Sequence, residues 1–178
     1  HNLASGRARR GRGVGCSPAP RRAGVGCACQ INDFCTGSRG SRDPATRYHL
    51  DPYHFGVVSV SAGGYLATLL GTAHDSHLLD SPGNLSQSIR VQAVCLYFAP
   101  VDLFRLYDYS EKRQTPQASE VAKLLGGDPR RNPEQVHLPN PLTYLAEDTP
   151  PFLLIHGLND TVSPPGQSRL LYDALRPR

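Results

Sequence analysis

The chain has 178 residues, 39% hydrophobic and 19% charged, which is room for one ordinary domain and enough apolar matter to exclude wholesale disorder. The net charge of +4 is unevenly spread: residues 1 to 47 carry nine Arg against Asp33 and Asp43, a net +7, so the remaining residues sum to −3. No uncharged apolar run approaches the roughly 20 residues that a membrane helix needs, so a membrane span is excluded.

The chain contains no Met and starts at His1, so a fragment, a processed form or an incomplete reading is expected. Its first residues show no n-region, h-region and cleavage-site series. Residues 1 to 47 hold eight Gly and only five large aliphatic or Phe residues: Leu3, Val14, Val25, Ile31 and Phe34. That is too little apolar surface to offset ordering entropy, and a disordered or misassigned Gly/Arg-rich segment is expected there. The C-A-C spacing of Cys27 and Cys29, with Cys16 and Cys35 nearby and no His among them, does not suit a zinc site. The arginine run lacks aromatic interleaving and an accompanying folded motif, so no nucleic-acid partner is assigned to it. Five Cys without evident pairing lean toward a reducing, cytoplasmic compartment, although the localisation stays open.

From residue 48 the pattern changes. The run from Phe55 to Ser61 is a short β-branched strand signal, and it leads straight into "AGGYLATLLGT". There Leu66, Leu69 and Leu70 mark one helical face, with Gly71 as the expected stop. Further strands are expected over Val91 to Phe98 and Pro151 to Gly157. Further helices are expected in "SEVAKLLGG", with Ser119 as a cap and Gly126 as the stop, and in "GQSRLLYDAL", burying Leu170, Leu171, Ala174 and Leu175. Val101 to Glu120 reads as a long polar excursion over the strand ends. Strands alternating with helices, each strand apolar throughout, predict an α/β fold: a mostly parallel sheet with helices on both faces over residues 48 to 178.

Chemistry concentrates in two places. In "SVSAGG", Ser61 sits between a strand and a helix with Gly63 two residues on. A serine hydroxyl becomes a nucleophile when a base removes its proton and a strained strand-to-helix turn holds it exposed. Ser61 fits that requirement, although the same residues would also make a glycine-rich turn with Ser61 as a helix N-cap. The motif for such an elbow is G-x-S-x-G, and Ser59 stands at its first position. In "IHGLNDTVSP", Asp160 lies five residues past the third apolar run, where a carboxylate could orient a histidine; an Asx turn is the alternative. The order Ser then Asp along the chain favours the catalytic pairing.

Residues 48 to 175 resemble the α/β-hydrolases of the esterase/lipase type, in the group that includes acetylxylan and feruloyl esterases and their dienelactone hydrolase and prolyl oligopeptidase relatives. The resemblance rests on "YHLDP", "SAGGYLATLLGT", "VQAVCLYFAPVDL", "KLLGG" and "NPLTYLAEDTPPFLLIHGLNDTVSPPGQSRLLYDAL". It implies a partial α/β-hydrolase domain with Ser61 as nucleophile, Asp160 as the acid of a triad, and the Ala62 backbone N–H in the oxyanion hole. It implies hydrolysis of carboxylic esters by acyl transfer, a small-molecule ester substrate, and no metal or organic cofactor. It further implies a general-base His downstream of the acid, and none of the eighteen residues after Asp160 is His. His156, in the family's "HG", reads as structural. The upstream H-G-G-G-type loop is also absent. A reading-frame error or fragment boundary ahead of residue 48 and a premature end after Arg178 are expected to account for both losses, with little activity left in this stretch alone. A serine peptidase of the prolyl oligopeptidase type and a non-catalytic binding module of the same fold are the alternatives.

Overall fold

The computed structural model describes residues 27–42, 49, 51, 53–74, 76, 88–131 and 140–177. The basic run from Arg7 to Arg22, Cys16, His77 and His137 lie outside the described residues. Three short strands, β1 (Gly56–Val60), β2 (Ala93–Tyr97) and β3 (Phe152–Ile155), pair in parallel in the order β1-β2-β3. Each lies within the apolar run that predicts it and stops one or two residues short of its ends. The register aligns Val60 with Tyr97 and Tyr97 with Ile155, so the next residues, Ser61, Phe98 and His156, form a row along the carboxyl edge.

Side chains alternate across a strand. Val57, Ser59, Val94, Leu96, Phe152 and Leu154 therefore share one face, and helix α2 (Ala62–Thr72) lies against it with Tyr65, Leu66, Leu69 and Leu70 buried. Gly71 does not stop this helix, which continues to Thr72. A Cβ at Gly71 would stand 2.9 Å from both Phe152 Cζ and Val94 Cγ2, so the glycine serves close helix–sheet approach. Helix α5 (Gly166–Leu175) buries Leu171 completely in the same cluster.

The stretch expected to be a polar excursion is mostly helical. Helix α3 (Leu103–Lys112) starts on Asp102, whose Oδ1 accepts from the Arg105 amide at 2.9 Å. It packs against α4 (Gln117–Leu125) through Leu106, Tyr107, Ala118, Val121 and Leu125. Gly126, at φ 79°, ends α4 as expected, whereas Ser119 lies inside the helix and does not cap it. Inside the 1–47 segment, residues Cys27–Arg42 form helix α1, with Ile31 and Cys35 buried in the main apolar cluster. Its inward side also carries buried Arg39 and Arg42, and Arg42 stacks over the Phe55 ring at 4.5 Å.

Among the described residues, the expected helical cover is present on one face of the sheet. On the other, Val58, Val60, Tyr97, Leu153 and Ile155 remain 37–58% exposed and fall in cross-strand rows, Val58 with Cys95 and Leu153, Val60 with Tyr97 and Ile155.

Candidate functional site

Ser61 is the single residue between the end of β1 and the start of α2, and it adopts φ 52°, ψ −129°. A non-glycine residue there is strained, at a cost of about 1–3 kcal/mol, and persists only where its surroundings hold it. Two backbone bonds hold it: its amide donates to the Tyr97 carbonyl at 3.0 Å, and its carbonyl accepts from the Gly64 amide at 2.8 Å. Small residues make the turn possible. A Cβ on Gly63 would lie 2.8 Å from Ser59 Oγ, and one on Gly64 would lie 2.4 Å from the Ala99 Cβ. Ser59 thus occupies the space over Gly63 that a glycine at position 59 would leave open.

Although Ser61 occupies the N-cap position of α2, its side chain makes no capping hydrogen bond. Ala62 is the first residue of α2, so its N–H has no i−4 carbonyl within the helix to bond. A hydroxyl and an unspent amide thus meet at a helix N-terminus, where partial positive charge favours developing negative charge.

The acid loop follows β3. Asp160 Oδ1 accepts from the amides of Val162 at 2.8 Å and Ser163 at 3.0 Å, which realises the Asx turn. That leaves Oδ2, which lies 3.5 Å from Nε2 of His156. His156 is nearly buried, with a side chain 6% exposed. Its Nε2 donates to the Ser163 carbonyl at 2.7 Å, because a carbonyl can only accept, and its Nδ1 meets Ser168 Oγ at 2.7 Å. The ring thereby ties the end of β3 to the acid loop and to α5. The sequence marks His156 as structural, and this double engagement is the physical content of that reading.

Ser61 and Asp160 reach the same carboxyl edge of the sheet, with β2 between their strands. Two interstrand spacings, roughly 10 Å, separate β1 from β3, a gap that an imidazole and its hydrogen bonds span. Three described histidines are engaged elsewhere: His54 pairs with Asp51 at 2.7 Å, His74 with Asp148 at 3.2 Å, and both nitrogens of His156 are bonded. The middle of the edge is formed by the turn after β2, which begins with Phe98 at φ 42°. Gln167 of α5, 2% exposed, secures that turn: its Oε1 accepts from the amides of Val101 and Asp102, each at 2.8 Å, and its Nε2 donates to the Asp102 carbonyl at 3.2 Å. Sequence reasoning misses Gln167 and Phe98, since neither residue type announces such a role.

Among the described residues there is no group of three or more His, Cys, Asp or Glu that could hold a metal ion, and no helix long and apolar enough to cross a membrane.

The BD-FAE family profile matches residues 26–175. The probable carboxylic ester hydrolase LipM of Mycobacterium tuberculosis is 32% identical over 133 residues, covering 74% of this chain and 30% of LipM. A solved bifunctional GH43-CE of Bacteroides eggerthii is 36% identical with a TM-score of 0.77, covering 88% of this chain and 22% of that one. The acetyl ester-xyloside bifunctional hydrolase of Caldicellulosiruptor lactoaceticus is 26% identical with a TM-score of 0.68, covering 86% and 53%. The chain thus spans about half or less of the length of these relatives.

Proposed function

This chain belongs to the BD-FAE family, and from that premise we propose that it carries the nucleophile and acid of a carboxylic-ester hydrolase that works by acyl transfer. Ser61 attacks the ester carbonyl, and the Ala62 amide receives the oxyanion that forms. Asp160, through the Oδ2 left over from its Asx turn, orients the imidazole that shuttles the proton. Triads of this order carry the base downstream of the acid, and none of residues 161–178 is His, so we place it outside the 178-residue chain. The ester is a small molecule or a substituent on a carbohydrate; the relative named as an acetyl ester-xyloside hydrolase supports the latter class.

The observation that carries this reading is the strained turn at Ser61, with its hydroxyl uncommitted to capping, on the edge shared with Asp160. The test is hydrolysis of p-nitrophenyl acetate by a protein that joins this chain to its catalytic histidine. Turnover should fall by about 10⁴- to 10⁶-fold in Ser61→Ala. The 178-residue chain alone should show a rate comparable to that variant. Turnover that ignores Ser61, or a fluorophosphonate probe that labels another residue, refutes the assignment.

A further inference from the structure

The row at the carboxyl edge runs Ser61, Phe98, His156, so Phe98 stands just past the middle strand, between the proposed nucleophile and the end of β3, whose loop carries Asp160. Its backbone lies at φ 42°, in the left-handed region. For a bulky residue this is an outlier, since a Phe side chain cannot hydrogen-bond its own backbone as Asn or Asp can. The need for the turn itself is plain. The Tyr97 carbonyl is held by the Ser61 amide and the Phe98 amide by the Ile155 carbonyl at 2.8 Å, after which the chain must swing so that Ala99, 1% exposed, lands on Gly64.

The conformation is thereby explained, but the residue type is not. Glycine would make the same turn without strain. The ring is not wholly spent on the core either: Phe98 stays 37% exposed and belongs to neither apolar cluster. Backbone strain and a part-exposed aromatic ring coincide at the centre of the edge where a reacting ester would sit. Such strain gathers at functional sites, where a ligand is what gains from it.

We infer that Phe98 is a specificity-determining residue of this edge, its ring forming an apolar wall that receives the aromatic or alkyl part of the ester. The assignment rests on the proposed ester-hydrolase reading for the identity of the ligand, and on backbone geometry and exposure for the presence of the wall. Polar, unsubstituted parts of a substrate gain nothing from it, so the ring discriminates among esters by their apolar bulk.

The experiment uses the 178-residue chain with Phe98→Gly and Phe98→Asn, both of which tolerate the left-handed turn. The probe is N-(4-nitrophenyl)butanamide, a non-hydrolysable analogue of an aryl ester. Thermal unfolding should stay cooperative in both variants with a Tm within about 5 °C of the parent, since relief of strain offsets the lost part of the ring's burial. Saturation-transfer NMR should show the probe bound by the parent chain and about tenfold more weakly by each variant. A probe bound equally by all three proteins, or no binding to the parent chain, overturns the inference. Phe98-dependent binding without any Ser61-dependent hydrolysis in the histidine-complemented protein supports the wall while defeating the ester-hydrolase reading.

Discussion

Gly64 and Ala99 touch with no room for a methyl between them: a Cβ on the first would come within 2.4 Å of the Cβ of the second. The contact joins the first turn of α2 to the turn after β2, the two chain reversals that flank Ser61. Gly64→Ala should therefore destabilise the fold by about 1–3 kcal/mol, because a rigid backbone must shift to admit it. Adding Ala99→Gly should recover much of that loss. Urea unfolding of the two single variants and the double variant measures the coupling, and strict additivity would show that the contact is not the cause.

Strain at Ser61 makes an opposite prediction for stability. Ser61→Gly relieves a φ of 52° paired with a ψ of −129°. After allowance for the greater freedom of an unfolded glycine, it should stabilise the chain by about 1 kcal/mol. The same substitution removes the hydroxyl, so in the histidine-complemented protein stability should rise as labelling by a serine-directed probe disappears. Equilibrium unfolding and fluorophosphonate labelling of one protein sample read the two effects together.

Ser168→Ala leaves Nδ1 of a nearly buried His156 without its 2.7 Å partner. The expected loss is about 1–3 kcal/mol, the range for an orphaned buried polar atom. Because His156 also holds the Ser163 carbonyl at 2.7 Å, the loosening should spread into the acid loop. Faster hydrogen exchange at the Val162 and Ser163 amides, which bond Asp160, would show it. Unaltered exchange at both would mean that the ring does not brace the carboxylate.

Cys35 gives a pH-dependent test. Burial is the larger influence and pushes its thiol up to about 11, against the opposing pull of Arg39. The folded state then keeps its proton at a pH where the unfolded chain has lost one, so stability falls as pH rises. The contribution is intact below the ordinary value of 9.0, declines between there and about 11, and levels off above. Its maximum slope is about 1.4 kcal/mol per pH unit. Urea unfolding at pH 8, 10 and 11 should show a steeper decline in the parent chain than in Cys35→Ala, and equal declines would contradict the assignment.

Much of this architecture is written in local pattern. Three apolar runs give the three strands, and the Leu66, Leu69, Leu70 stripe gives α2. The rule that functional groups gather at strand ends is enough to bring Ser61 and Asp160 to one edge. Helix α3 is hidden by its polar residues, although Asp102 as a cap with Leu103, Leu106, Tyr107 and Ser110 in helical spacing was there to be seen. Helix α1 is less legible, because its buried side mixes Ile31 and Cys35 with Arg39 and Arg42, and no hydrophobicity count flags arginine as interior. Gly71 misleads for a related reason: a helix glycine signals a stop or a close approach, and only the position of Phe152 decides which. The bracing of the acid loop by His156 depends on ring orientation, and the turn at Phe98 on three-dimensional crowding at Gly64.

Among the described residues one side of the sheet carries no helix, and that bears on how this chain is handled in solution. Five apolar side chains held in register on stiff strands present a flat, wettable plane whose hydration shell is released when two such planes meet. Concentration is therefore the variable to vary beside heat and denaturant when the unfolding of this chain is measured. A lysine at Leu153, the most exposed of the five at 58%, is the smallest edit that would interrupt that plane while leaving the carboxyl edge untouched.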